Sequence, residues 1–317
     1  MRALYLKDGN LQYLTDYPRP ERRAGHSLIK VTVAGICSTD LEIVRGYAGF
    51  QGIPGHEFVG IVQKSDDDSL VGRRVVGGIN IGCGTCRVCL SDGPEHCPER
   101  TVLGIINHDG AFAEFLTLAD ENLIPVPEEI ADETAVFTEP LAAALRILEQ
   151  VRIRPTDRIA VVGPGRLGML IGQVLRLGGS LVTMLGRRAE SLVLPNRLGL
   201  HSGLVREVKD ESYDVVVEAT GNEAGLAHSL RLLRPQGILI LKSTFAGMAN
   251  VDLSKVVVSE IRVIGSRCGP FEPALRLLAE QKIEVECMIE GRYALEDGLA
   301  AFAHASRPGV RKILLSM

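Results

Sequence analysis

The sequence predicts an α/β protein with a doubly wound parallel sheet and a second, β-rich domain. Between Arg158 and Gly265, compact apolar runs alternate with stretches of helical spacing. The first 120 or so residues instead alternate short β-rich runs with Gly, Pro and Asp. The length of 317 residues corresponds to about two average domains, and 46% hydrophobic residues are enough for a sizeable core.

The middle of the chain has the pattern of repeated strand–helix–strand units. Strands are predicted at Arg158–Val162, Ser180–Leu185, Tyr213–Ala219, Gly237–Leu241 and Ile261–Gly265, and helices at Ala131–Gln150, Arg166–Leu177 and Glu223–Leu233. Alternation at this spacing favours right-handed crossovers, which place helices on both faces of a parallel sheet.

The two ends of the chain differ from this middle part. Near the N-terminus, strands are predicted at Ser27–Val33, Phe58–Gln63 and Arg74–Gly77; near the C-terminus, helices are predicted at Glu272–Gln281 and Leu295–Ala305 and a strand at Arg311–Leu315. Domain boundaries are expected near residues 140 and 270. The pattern alone leaves open which domain the C-terminal tail joins.

Charge and hydropathy exclude two classes of partner. Thirty-five basic against 39 acidic residues give a net charge of −4, and no basic run is long enough to bind a nucleic acid. The longest apolar region, residues 159–186, is interrupted by Arg166 and Arg176 and is rich in glycine, so it does not predict a membrane span. The first ten residues contain no apolar run typical of a signal peptide. We therefore expect a soluble cytoplasmic protein.

A glycine-rich loop follows the strand Arg158–Val162. Gly163 allows a tight turn, Gly165 lets the backbone approach a pyrophosphate, and Gly168 lets the next helix pack close to the sheet. Arg166 and Leu167 open that helix, whose N-terminus favours an anion. Because the loop lies between a strand and a helix, it predicts a dinucleotide site rather than a structural turn.

The residues at the end of the next strand bear on the choice of cofactor. An NAD site usually carries Asp or Glu there, to bind the ribose hydroxyls. This chain has Gly186, Arg187 and Arg188, and two guanidinium groups suit a 2′-phosphate. The sequence therefore predicts NADP(H) in preference to NAD(H). The alternative is that both arginines are simply solvated at a strand end.

Four of the seven cysteines lie within fifteen positions: Cys83, Cys86, Cys89 and Cys97. In a chain without an export signal, such a cluster indicates metal ligands before disulfides. Four thiolates on one short loop are typical of a closed, structural Zn²⁺ site. An iron–sulfur cluster also takes four thiolates, but its usual spacings differ.

Cys37, His56 and Glu57 are candidate ligands of a second metal site, although the residues by themselves favour an ordinary explanation for each. A thiolate, an imidazole and a carboxylate supply three ligands and leave an open position for substrate, as catalytic zinc requires. Taken singly, each residue has an ordinary explanation: a buried thiol, a hydrogen-bonded loop histidine and a surface charge.

These motifs together resemble the zinc-dependent medium-chain dehydrogenase/reductase (alcohol dehydrogenase-like) superfamily. The resemblance rests on Cys37-x-Thr39-Asp40, Gly55-His56-Glu57-x2-Gly60, the four-cysteine lobe, Thr138-Glu139-Pro140-Leu141, the loop Gly163–Gly168 and the segment Asp214–Gly221. It covers essentially the whole chain. It implies a GroES-like catalytic domain formed by residues 1–140 and 271–317, with a Rossmann dinucleotide-binding domain at residues 141–270.

The resemblance also implies roles for individual residues. Cys37 and His56 match catalytic zinc ligands. Glu57 and Glu139 match carboxylates that polyol- and threonine-dehydrogenase-like members use directly or through a water molecule. Thr39 matches a proton-relay hydroxyl, whereas Glu42 stands where many members have a relay histidine. Three further residues are expected at the cofactor: Thr220, Ser266 and Arg267.

The function so implied is hydride transfer between NADP(H), or NAD(H), and a small alcohol or polyol or the corresponding aldehyde or ketone. Two zinc ions per chain and a homodimer or homotetramer are expected. One alternative is a zinc-free quinone or enone reductase of the same superfamily. Another is a non-catalytic nucleotide-binding or redox-sensing relative, because a fold alone does not fix a function.

Overall fold

The computed structural model describes residues 1–244 and 249–317, which form two compact units. The first unit consists of Met1–Glu139 and Phe271–Met317, and the second of Pro140–Pro270. In these described ranges, no helix is both long enough and apolar enough to cross a membrane.

The N-terminal part of the first unit is mostly β-structure. Its strands are β1 (Ala3–Lys7), β2 (Asn10–Leu14), β3 (His26–Ile36), β4 (Glu57–Lys64), β5 (Arg74–Gly77), β6 (Asn80–Ile81), β7 (Thr101–Val102), β8 (Phe115–Ala119) and β9 (Leu123–Pro125). Its helices are α1 (Ser38–Val44), α2 (Arg87–Ser91) and α3 (Asp132–Ala135).

The second unit follows in chain order, and its first helix, α4, begins two residues before the unit boundary at Pro140. Its elements are α4 (Thr138–Gln150), β10 (Arg158–Val162), α5 (Arg166–Leu177), β11 (Leu181–Gly186), α6 (Val193–Arg197), β12 (His201–Leu204), β13 (Tyr213–Glu218), α7 (Glu223–Leu232), β14 (Leu233–Leu241), α8 (Leu253–Val258) and β15 (Arg262–Gly265). The chain then returns to the first unit with α9 (Phe271–Ala279), β16 (Ile289–Ala294), α10 (Gly298–Ala305) and β17 (Lys312–Ser316).

The main sheet of the first unit joins the two ends of the chain. Its strand order is β16-β17-β3-β4-β5-β9, and β8 also pairs with β3. The last strand, β17, lies antiparallel to β3, with Ile313 opposite Ile36. Alternating apolar side chains of these strands form the core, where Phe112 and Phe302 pack edge to face at 5.6 Å. This pairing brings Lys312, the first residue of β17, beside the end of β3, where the candidate site begins.

The second unit contains a six-stranded sheet in the order β12-β11-β10-β13-β14-β15, and every pairing in it is parallel. The four residues Ile159–Val162 of β10 are all buried. Such continuous apolar runs occur where helices cover both faces of a sheet. The predicted fold class, a doubly wound α/β sheet with a separate β-rich domain, is confirmed.

Two predicted elements differ in detail, and several short observed elements, strand β12 and helix α1 among them, were not predicted. The helix predicted at Ala131–Gln150 is two helices, α3 and α4. Pro140 has no N–H group, so it is accommodated best in the first turn of a helix that restarts at Thr138. Strand β12 and helix α1 were not predicted, since both are short and lack a clear apolar period. Strand β14 starts at Leu233, four residues before the predicted start.

Candidate active site and metal centres

Two adjacent strands bring the predicted catalytic ligands together. Cys37 follows the last residue of β3, and Glu57 is the first residue of β4, directly opposite Gly35 in the antiparallel register. His56 precedes Glu57, and both side chains are buried. One ligand atom of each residue (Cys37 Sγ, a His56 ring nitrogen and a Glu57 carboxylate oxygen) lies within 4.8 Å of the other two.

Asp40 holds two of these ligands in place. It is fully buried in the first turn of α1, and its Oδ2 accepts a hydrogen bond of 2.8 Å from the backbone N–H of Cys37. Its Oδ1 lies 3.2 Å from His56 Nδ1. A carboxylate behind a metal-binding histidine fixes the ring orientation and makes it a stronger ligand.

The same contact changes the proton affinity of His56. Burial alone would lower the pKa of His56, but the Asp40 carboxylate and the Cys37 sulfur raise it well above the usual value of histidine. In the metal-free protein, the contact with Asp40 therefore favours the protonated form of His56. A metal ion binding to this nitrogen ligand has to replace that proton.

Glu57 forms a buried ion pair with Lys312 of β17, through its Oε2. The Lys312 ammonium also lies 5.3 Å from the centre of the Phe137 ring. The second carboxylate oxygen of Glu57, Oε1, is buried and has no hydrogen-bond partner among the described residues. An ionised oxygen without a partner is costly inside a protein, so this atom marks a place for a cation.

The donor set therefore fits a zinc ion. Cys37 supplies a sulfur atom, His56 a nitrogen atom and Glu57 an oxygen atom, and all three are common Zn²⁺ ligands. Glu139, the second predicted carboxylate, is half-buried near the start of α4 and is not in the group of atoms within 4.8 Å. Its role as a ligand stays a prediction.

Two residues of helix α1, Thr39 and Glu42, bear on the expected proton relay. The Thr39 Oγ1 lies 3.7 Å from the Cys37 sulfur, in the first turn of α1. Glu42, at the position of the expected relay histidine, is ion-paired with Arg45 at 2.6 Å. The hydroxyl is thus beside the site, while Glu42 is engaged on the helix surface.

The four-cysteine lobe forms a second cluster. The sulfur atoms of Cys83, Cys86, Cys89 and Cys97 all lie within 4.8 Å of one another. Backbone N–H groups point at them: Cys86 N donates to Cys83 Sγ and Cys89 N to Cys86 Sγ, both at 3.4 Å. Hydrogen bonds from Thr85 and Cys86 lower the pKa of Cys83 to about 6. Four converging sulfurs fit a closed tetrahedral zinc site.

The glycine loop of the second unit has the predicted steric requirements at two positions. Gly163 has φ of 102°, and a Cβ there would lie 2.8 Å from the carbonyl oxygen of Ala219; a Cβ on Gly168 would overlap the carbonyl oxygen of Gly163. Gly165 immediately precedes helix α5, and a Cβ there would meet no atom within 4 Å. The space outside Gly165 fits a phosphate group approaching the backbone and the helix N-terminus.

The remaining predicted cofactor residues also lie in the second unit. Gly186 ends β11, and a Cβ on it would overlap the hydroxyl of Ser191, so the following turn packs tightly. Arg187 and Arg188 are exposed, and neither makes an ion pair with a described residue. Thr220 donates its backbone N–H to Glu218 at 2.6 Å. Ser266 is buried and Arg267 exposed, just after β15.

Two functional residues were not assigned a role from the sequence. Asp40 carries a detectable signal, because a carboxylate three residues after the residue that precedes a helix is typical of a capping box. Lys312 carries none: it lies 255 residues from Glu57, and only the pairing of β17 with β3 brings them together.

Comparisons with known proteins agree with this architecture. Residues 23–128 match the family model of the alcohol dehydrogenase GroES-like domain. A sorbitol dehydrogenase from Halalkalibacterium halodurans is 28% identical over 100% of this chain and 99% of its own. The L-threonine 3-dehydrogenase of Streptomyces coelicolor is 30% identical over 96% of this chain and 95% of its own.

Among solved structures, a protein from Sinorhizobium meliloti 1021 bound to NADP has a TM-score of 0.90 and 27% identity, and the match covers 100% of this chain and 99% of that one. The similarity in both sequence and structure extends over both units rather than over one domain. An identity of 30% over nearly the full length of both chains shows that this protein belongs to the zinc-type medium-chain dehydrogenase/reductase superfamily.

Proposed function

We propose that this alcohol dehydrogenase-like enzyme depends on zinc and transfers a hydride between NADP(H) and a small alcohol or polyol or its aldehyde or ketone. The observation that supports zinc most directly is the convergence of ligand atoms from Cys37, His56 and Glu57 within 4.8 Å in a buried position. A zinc-free quinone or enone reductase has no need of these three side chains together. Two relatives are named as dehydrogenases of sorbitol and of L-threonine, and both of these compounds carry a hydroxyl group. Their names support a substrate with a hydroxyl group.

The proposed catalytic metal is held by Cys37, His56 and Glu57, with Glu139 as a further candidate. When bound, zinc acts as a Lewis acid that stabilises negative charge developing on a substrate oxygen. The second zinc is held by the four-cysteine lobe and supplies stability only, because four thiolates leave no open position.

The chain's own residues have distinct tasks in this proposal. Asp40 orients His56 through the 3.2 Å contact with Nδ1 and anchors Cys37 through its backbone N–H. Thr39 accepts the proton of the substrate hydroxyl and passes it outward, which its position 3.7 Å from the Cys37 sulfur supports. The ion pair of Glu42 with Arg45 keeps Glu42 out of that proton path.

The preference for NADP(H) rests on Arg187 and Arg188. When bound, the nicotinamide cofactor carries the hydride. The pyrophosphate is assigned to the loop Gly163–Gly168, and the 2′-phosphate to the two exposed guanidinium groups beyond β11. The similar protein solved with NADP supports the same choice.

We further infer a homo-oligomer. Strand β15 is the last strand of its sheet in the described part of the chain, so one row of its backbone groups has no partner strand. Val263 within the strand is 47% exposed, and Val258 at the end of the preceding helix α8 is 83% exposed. A second copy pairing along this edge would cover both.

The test combines a zinc count with fluorescence titrations by NADPH and NADH. We expect two zinc ions per chain and tighter binding of NADPH. Arg187→Ala and Arg188→Ala should each weaken NADPH binding by about tenfold or more, the loss of a charged hydrogen bond, and leave NADH binding unchanged. Arg206→Ala is the matched control, because Arg206 is an exposed arginine of the same unit, 68% accessible.

Each element of the proposal fails on a different result. Tighter binding of NADH by the unmodified enzyme would contradict the assignment of Arg187 and Arg188. One zinc per chain would leave only the closed four-thiolate site and would favour the zinc-free reductase. A His56→Ala variant that retains activity while holding one zinc would rule out catalysis by the metal.

A further inference from the structure

Lys312 is a buried cation placed directly against the candidate metal site. Its side chain is 3% exposed, and that of its partner Glu57 is fully buried. In the antiparallel register, Ile313 lies opposite Ile36, so Lys312 comes level with Cys37 at the end of β3. The sheet therefore delivers a thiol, a carboxylate and an ammonium group from three neighbouring strands to one place.

The contacts divide the two oxygens of Glu57 between two tasks. Oε2 accepts from the Lys312 ammonium, and Oε1 is buried without a hydrogen-bond partner among the described residues. Glu57 nevertheless belongs to the group of atoms that converge with Cys37 and His56. One oxygen is thus held by a fixed cation, and the other is available for an exchangeable one.

An ion pair needed only for folding is an expensive choice in this position. Apolar residues of similar volume are often equally stabilising or better, because two buried charges must both lose their water. The pair lies where a divalent cation is proposed to bind, and a lysine there repels that cation while it holds one of the cation's ligands. These two effects act in the same direction, toward weaker metal binding by Glu57.

We propose that Lys312 is a positioning residue that competes with the metal ion for the Glu57 carboxylate. It keeps Oε2 out of the coordination shell and makes Glu57 a weak, one-oxygen ligand that can leave when a substrate oxygen arrives. The inference rests on the proposed zinc site and adds a residue from the C-terminal strand to it.

The experiment measures zinc release from the fully loaded, full-length protein into excess chelator. Two release phases are expected, one for each site. Lys312→Met, which keeps the length of the side chain and removes its charge, should slow one phase by about tenfold or more, since the loss of a nearby positive charge strengthens cation binding. Because the starting protein carries its zinc, the measurement does not depend on a folded metal-free form.

Two control variants separate the charge from its surroundings. Lys312→Arg retains a cation and should release zinc at close to the original rate. Arg311→Met removes a positive charge from the preceding residue, which pairs with Glu290 at 3.1 Å, and should leave both phases unchanged. The phase of the four-cysteine lobe serves as an internal reference in every variant.

The outcomes distinguish this inference from the function on which it rests. Two zinc ions per chain with equal or faster release from Lys312→Met would overturn the role of Lys312 and leave the zinc enzyme intact. A single zinc ion in the unmodified protein would overturn both. Slower release in Lys312→Met and Arg311→Met alike would indicate a general charge effect and would also contradict the assignment to Lys312.

Discussion

The substitution Gly35→Ala tests how tightly the candidate site is packed around Glu57. Gly35 is buried in β3, opposite Glu57. A Cβ at this position would overlap the Glu57 Oε2 that pairs with Lys312 and would lie 3.4 Å from Lys312 Cδ. The carboxylate cannot move away freely, because its partner is itself buried. We therefore expect a methyl group here to push Glu57 off Lys312 or to separate the strands.

The expected cost follows from these contacts. Added volume in a packed interior costs about 1–3 kcal/mol, and a disturbed buried ion pair places the result in the upper part of that range. A loss of about 2–3 kcal/mol lowers the melting temperature of a domain of this size by roughly 4–12 °C. Calorimetry of the zinc-loaded protein measures the change in melting temperature, and a zinc count shows whether the site that contains Glu57 still binds zinc.

Gly203→Ala is the matched control for this substitution. Gly203 lies in strand β12 of the second unit, and the nearest atom to a Cβ there, Leu185 Cδ2, would be 3.8 Å away, an ordinary contact distance. Its melting temperature should change by only about 1–2 °C, as for most substitutions away from close contacts. If Gly35→Ala had the same melting temperature as the control and kept both zinc ions, the proposed crowding at Glu57 would be wrong.

Three other expectations concern different parts of the molecule. Cys86→Ser should reduce the zinc content by one and lower the melting temperature, whereas Cys287→Ser, outside both clusters, should do neither. Burial opposes ionisation of Asp214, but hydrogen bonds from the Arg158 N–H and Arg234 lower its pKa below the usual value. Asp214→Asn should therefore destabilise the protein at neutral pH. The difference in melting temperature between the variant and the unmodified protein should shrink as pH falls below about 3.9, where the unfolded carboxyl is protonated. Val258→Glu should reduce the mass in light scattering by at least half if β15 pairs with a second copy; an unchanged mass would contradict that interface.

Much of the fold could be predicted because its signals are local. The strand–loop–helix order around Gly163 and Gly168 appears within a dozen residues, and the close approaches that require glycine at those two positions are confirmed by the backbone geometry. The four cysteines likewise lie on one short loop, so their spacing alone indicates that their sulfurs converge. Helix α1 escaped prediction, because its first turn is organised by Cys37 and Asp40 rather than by an apolar period.

The charge balance of the metal site could not be predicted in the same way. Cys37, His56 and Glu57 lie within 21 positions of one another in the sequence. The cation that offsets the charge of Glu57, Lys312, comes from the last strand of the chain. A lysine at the start of the last strand looks, in sequence, like a residue facing solvent. Only the pairing of β17 with β3 makes it buried and places it beside Glu57. The ligands of such a site can therefore be recognised by motif, but the strength with which they bind depends on a long-range contact that needs the structure.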